Sequence, residues 1–296
     1  MKSKFFIYVA LGADIIIAVT KFIAAGVTGS SAMVSEGIHS IIDSINQVLL
    51  LVGVRSSQKK PDEKRPFGYG KELYFWSFIV SLLIFTVGGC FSFYEGIRRL
   101  QNKTLEGDQA WNYGVLAVAF VVTMISAIVS LRKFNKQRGD QDFWPAIRES
   151  KDPSVFTVLL GEFGDLAGLV IAFAGVFLGQ LLHNPFYDAA ASMIIGAILV
   201  GISIILVLES KSLLMGESVG RKTMRSIVSL TEKDPAVQKV KKHFSMYMAP
   251  EEVVLQLITV FKKNLTTEQI IEAIHRIEGS IRQQFPRVKQ IFIEPA

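Results

Sequence analysis

Six stretches of this chain are apolar over a length that can cross a bilayer, and that repetition limits the fold more than any other feature. A span needs roughly 20 mostly apolar residues. Windows at about 5–27, 32–54, 73–97, 111–132, 154–181 and 187–209 satisfy this. Half of the 296 residues are hydrophobic, and the mean hydropathy of +0.38 is too high for an ordinary soluble domain. The opening, "MKSKFFIYVALGADIII", reads as a first span rather than a cleaved leader, because no convincing small-residue cleavage site interrupts it. Cys90 is the only cysteine, which excludes an intrachain disulfide and a cysteine-based metal cluster.

The connections set an orientation. "RSSQKKPDEKRPFGYGK" and "RKFNKQRGDQDFWPAIRESK" are rich in Lys and Arg, whereas "VTGSS" and "QLLHNPF" contain neither. Basic loops stay on the cytoplasmic side. Both termini are therefore expected in the cytoplasm, with Arg98, Arg99 and Lys103 as a minor dissent. The net charge of +6 is modest and is distributed as that rule requires, so no nucleic-acid partner is expected. After "LLMGE" no further span is long enough, and short apolar runs alternate with charge. "GRKTMRSIVSLTEK" has helical spacing, "VQKVKKHFSMYM" and "EEVVLQLITVFKK" alternate like strands around a turn, "TTEQIIEAIHRIEGSIRQQF" is a second helix with a capping signal, and "RVKQIFIEP" closes as a strand. The expected fold is an α-helical membrane protein: six transmembrane helices in residues 1–212, then a cytosolic αββαβ domain of ferredoxin-like type in residues 213–296.

The second window carries an unusual polar stripe, "EGIHSIIDSINQ". His39, Asp43, Asn46 and Gln47 are related by helical offsets and share one face, and Glu36 adds a turn to it. Ionisable groups inside a span are costly and mark functional sites by default. The plainer alternative is a hydrogen-bonded network that only fixes helix packing. An imidazole and a carboxylate one turn apart can reach a single cation, and such nitrogen–oxygen ligation suits Zn²⁺ and other first-row divalent metals. His39 is the only histidine inside a span. The fifth window offers partners in Glu162 and Asp165, three residues apart, beside Gly161, Gly164 and Gly168, where another helix could approach closely. In the first window Lys21 can snorkel or pair with a carboxylate, and Asp14 is a candidate accessory ligand or proton carrier.

Over nearly its whole length the chain resembles the cation diffusion facilitator family of divalent-metal transporters. "TGSSAMVSEGIHSIIDSINQ" resembles the family's second-helix signature, with His39 and Asp43 filling its His-x-x-x-Asp. "PDEKRPFGYGKE", "FYDAAASMIIGAILV" and "LLMGE" resemble its first large loop, sixth helix and domain junction. The resemblance implies a homodimer that exports a divalent cation in exchange for protons. Zinc is the first expectation, Fe²⁺, Mn²⁺ or Co²⁺ the alternatives, and a non-transporting metal sensor or scaffold the rival function. An enzyme is not expected, nor a resident cofactor, and the location implied is the plasma or inner membrane.

The family's second His-x-x-x-Asp is incomplete here. Counting back from Gly168 sets Glu162 at its Asp and Val158 at its His. The implied ligands are His39, Asp43 and Glu162, with Asp165 secondary and Asn46, Gln47 or Asp14 as accessory groups. The loop's usual accessory histidines are replaced by Arg65 and Tyr69, and the closing strand has Phe292 and Glu294 where a His and an Asp are usual. No strong metal cluster is therefore expected in the tail, where His243 and His275 read as ordinary surface or packing residues.

Overall fold

The computed structural model describes residues 2–101, 110–139 and 151–296. Its helices begin with α1 (Lys2–Thr28), α2 (Ser31–Ser57), α3 (Glu72–Leu83) and α4 (Phe91–Gln101). They continue with α5 (Ala110–Arg138), α6 (Pro153–Leu181) and α7 (Phe186–Met215). Among the described residues five rods are long and apolar enough to cross a membrane, 33–57, 72–101, 113–132, 155–181 and 186–215, and 15–28 is a further apolar part of α1. The rod 72–101 is α3 and α4 joined end to end by a π-helical stretch, Ile84–Cys90. Periodicity at 3.6 residues does not reveal such a widening, in which the backbone bonds skip to the fifth residue.

The chain divides into two compact units. One gathers the helical rods up to Ser210; the other joins Arg55–Tyr74 to Lys211–Ala296. In the first unit the usual soluble arrangement is inverted. Val118, Val121, Ile125 and Val129 on α5 are exposed, as lipid-facing residues must be, while Lys21, Glu36, His39, Ser44, Asn46, Ser81, Ser92 and Ser203 are buried. Hydrocarbon offers a polar group no partner, so such groups turn inward. Glycine lets two rods meet closely along one seam. A Cβ at Gly89 would come 2.6 Å from the Val200 side chain, and one at Gly196 would come 2.6 Å from the Phe93 backbone nitrogen.

The second unit contains α8 (Arg221–Glu232), β1 (Val237–Ala249), β2 (Glu252–Phe261), α9 (Thr267–Gln284) and β3 (Val288–Pro295). The sheet order is β1-β2-β3, with β1 antiparallel and β3 parallel to the central strand. This αββαβ order matches the ferredoxin-like pattern without its first strand. Strand β2 alternates as the sequence predicts. Val253, Leu255, Leu257 and Thr259 are buried, and the first three join Ile227, Ile277 and Ile281 of the two helices in one core. Helix α9 starts at a capping box: the Gln269 backbone N–H donates to Thr266 Oγ1, and the Thr266 N–H donates to the Gln269 side chain.

Leu255 sits at the centre of that core and is fully buried. Leu255→Ala should lower the unfolding free energy of the C-terminal domain by about 2–5 kcal/mol, the range for a leucine truncated in a core that relaxes only partly. Denaturant titration followed by circular dichroism of the domain checks this.

Candidate metal centre

His39 and Asp43 lie one turn apart on α2, and α6 brings Asp165 to them. One ligand atom from each of the three lies within 4.8 Å of the others. His39 Nε2 contacts Asp165 Oδ1 and stands 3.6 Å from Asp43 Oδ2. The imidazole is almost fully buried; the two carboxylates keep about a quarter of their side-chain surface open. Despite this proximity, no well-formed hydrogen bond satisfies either ring nitrogen of His39 or Asp165 Oδ1. Buried polar atoms are normally paired. The close approach of one imidazole nitrogen and two carboxylate oxygens fits a positive guest, and the mixture of one nitrogen and two carboxylates suits a first-row divalent cation.

Glu162 is placed elsewhere. Its Oε1 accepts a hydrogen bond from Ser126 Oγ on α5. Residues three apart on a helix diverge by about 60°, and here that divergence sends Asp165 to α2 and Glu162 to α5. Counting back from Gly168 therefore ranked the two carboxylates in the opposite order to their grouping with His39. The residue four before Asp165 is Gly161, and a Cβ added there meets nothing within 4 Å. Asn46 is buried on α2 with Oδ1 unsatisfied, and Gln47 beside it is half-buried. Helix α1 includes Asp14, but its side chain lies outside the described residues.

Two residues whose connection the sequence did not reveal adjoin this cluster. Lys21 Nζ of α1 lies 2.9 Å from Glu36 Oε2 and donates to Ser40 Oγ at 2.8 Å. The sequence offered Lys21 a carboxylate partner and put Glu36 on the His39 stripe, but only helix packing joins them. The other oxygen, Glu36 Oε1, is buried without a hydrogen-bond partner and lies against Gly168, where a Cβ would come 2.5 Å from it. Gly168 is thus the seat of a carboxylate, whereas a Cβ at Gly164 would meet Ile202 at 2.8 Å. Gly168→Ala should reduce thermal stability by about 1–3 kcal/mol, the usual cost of overpacking. Gly161→Ala should stay within about 1 kcal/mol of the parent, since only helix propensity changes there. Thermal melts of the two purified variants make the comparison.

In the loop before α3, where the sequence departs from accessory histidines, side chains form a cluster of their own. Arg65 pairs with Glu72 and lies 4.4 Å from the centre of the Tyr69 ring. Tyr69 Oη donates to Asp62 Oδ2 at 2.5 Å. That bond holds the Asp62 carboxyl below its usual range and pushes the Tyr69 phenol up. A depressed folded pKa contributes order that is complete above the ordinary carboxylate pKa and is lost as pH falls through the depressed value. Tyr69→Phe should move the Asp62 titration up toward the ordinary value, as read by carboxyl-carbon NMR.

Comparison with known proteins identifies the family. Residues 7–215 match the family described as the cation efflux transmembrane domain. The proton-coupled zinc antiporter SLC30A9, mitochondrial, of Xenopus laevis is 31% identical over 268 residues, covering 89% of this chain and 48% of that protein. Its Homo sapiens counterpart is 32% identical over 223 residues, 74% of this chain and 39% of that one. The chain thus spans less than half the length of these two relatives. The manganese efflux system protein MneP of Bacillus subtilis is 24% identical over 294 residues, covering 96% of this chain and 93% of MneP. With the family match extending over more than half of the sequence, this chain belongs to the cation efflux, or cation diffusion facilitator, family.

Proposed function

We propose that this protein exports a divalent metal cation across a membrane in exchange for protons, through a site made of His39, Asp43 and Asp165. The observation that carries the reading is the convergence of those three ligand atoms, two of the residues lacking satisfied hydrogen bonds, among helices long enough to span a bilayer. A ligand must lose its proton before it binds a cation, so metal and protons compete for the same atoms. Alternating exposure of a midplane site to the two sides converts that competition into antiport. Asn46 or water completes the shell, and Glu162 stays outside it.

Zinc is the first choice of cargo: one imidazole with two carboxylates is an ordinary zinc donor set, and the Xenopus laevis relative is named as a zinc antiporter. Manganese is the alternative, supported by the oxygen-rich shell and by the name of the Bacillus subtilis relative. The basic loops support cytoplasmic termini in a plasma or inner membrane. A homodimer is supported by the sheet face opposite the helices, where Phe244 and Phe292 both stand opposite Gln256 and are half exposed. A domain division near residue 212 is supported by the change of compact unit after Ser210.

Proteoliposomes loaded with a pH-sensitive dye test the reading. Wild type should show proton flux on addition of Zn²⁺ or Mn²⁺, and His39→Ala and Asp43→Ala should abolish it while still inserting and melting cooperatively. Asp165→Asn should weaken metal binding at least about tenfold, ~1.4 kcal/mol, and Glu162→Gln should change it much less. Flux retained by a well-folded His39→Ala protein would refute the site.

A further inference from the structure

We propose that Lys21 is a built-in monovalent cation that sets the charge of the metal site at minus two, so that one divalent ion matches it. The inference rests on the reading of His39, Asp43 and Asp165 as cation ligands. Its basis is the ion pair beneath them. The Lys21 and Glu36 side chains are 5% and 1% exposed and 2.9 Å apart, deeper than either Asp43 or Asp165. The ammonium also bonds Ser40 Oγ. Lys21 is therefore tied to the same two turns of α2 that carry His39.

Charge counting then becomes restrictive. Glu36, Asp43 and Asp165 contribute minus three when ionised, a neutral His39 contributes nothing, and Lys21 returns plus one. Glu162 is bonded to Ser126 and Asp188 accepts from Ser30 Oγ at 2.6 Å, and neither joins the His39 group, so the count is made over the carboxylates of that group and Glu36 beneath it. In a low-dielectric interior an uncompensated unit charge is costly and its field is weakly screened. A net minus two is neutralised by one Zn²⁺ or Mn²⁺; minus three would hold the same ion more tightly and release it more slowly.

Lys21 has a second effect, on ligand number. Glu36 precedes His39 by one turn, so their Cβ atoms are about 5–6 Å apart. Its Oε1 has no hydrogen-bond partner and rests against Gly168, three residues beyond Asp165. Among the described residues the ammonium alone holds the other oxygen. Without it the carboxylate is free to swing toward the cation as an additional oxygen ligand. Lys21 is thus a positioning residue: it touches no cargo, but it withholds a carboxylate from the shell.

Calorimetric titration of the purified full-length chain with Zn²⁺, and separately with Mn²⁺, tests this. Lys21→Met should tighten binding by about tenfold, and Glu36→Gln should weaken it by about tenfold. Lys21→Met combined with Glu36→Gln restores the minus-two count and should return within about threefold of wild type, as should Lys21→Arg. In proteoliposomes Lys21→Met should lower both KM and kcat, the signature of slow release.

If Lys21 were only a staple between helices, its variants would lower the melting temperature of the metal-free protein and leave the dissociation constant within threefold. That result overturns the proposal. Should Lys21→Met fail to fold, tighter binding by the double variant than by Glu36→Gln carries the same prediction, and equal binding by the two overturns it. If wild type binds neither Zn²⁺ nor Mn²⁺, the metal-site reading fails first and takes this one with it.

Discussion

The cost of holding charge inside hydrocarbon organises the membrane unit, and the Lys21–Glu36 pair is where that cost is greatest. Neither partner could be buried alone: a lone ammonium or carboxylate at that depth would be unpaired in a medium that cannot solvate it. Together they bind α1 to α2 at 2.9 Å, and Glu36 then lies against α6 at Gly168. Three helices are aligned by one carboxylate. The His39 cluster is built at the level this alignment sets, because His39 follows Glu36 by one turn on α2 and Asp165 precedes Gly168 by one turn on α6.

Close approach of these helices depends on small residues rather than on the hydrophobic effect. Lipid is as apolar as leucine, so association draws on packing and polar contacts. Gly89 and Gly196 bring backbones together where any larger side chain would intrude. The π-helical stretch Ile84–Cys90 lies in the same seam and includes Gly88 and Gly89. A rod widened at that point is a local irregularity of the kind often found near functional sites.

The C-terminal unit obeys the ordinary rule. Its apolar side chains turn inward, and β2 alternates cleanly because one sheet face is covered by α8 and α9. The loop Arg55–Tyr74 belongs to the same compact unit although it lies between two membrane rods in sequence. Where Arg65 and Tyr69 replace the family's usual accessory histidines, an Arg65–Glu72 pair and a Tyr69–Asp62 bond hold this loop.

What the sequence determined by itself follows from short-range physics. The apolar windows account for the long rods, because the length of hydrocarbon to be crossed dictates about 20 residues. The period-two and period-3.6 patterns after "LLMGE" foretold αββαβ, and the capping signal at Thr266 or Thr267 is realised at Thr266. His39 and Asp43 were legible as neighbours because four residues on one helix suffice to make them so. The tertiary structure decided what depends on rotation of one helix against another. Glu162 and Asp165 are both carboxylates near the middle of one rod, and no local pattern says which turns toward α2; only the azimuth of α6 sends Asp165 to His39 and Glu162 to Ser126. The partner of Lys21 was undetermined for the same reason. Fifteen residues and a turn separate it from Glu36, and that distance is closed by packing between helices, on which periodicity along one helix is silent.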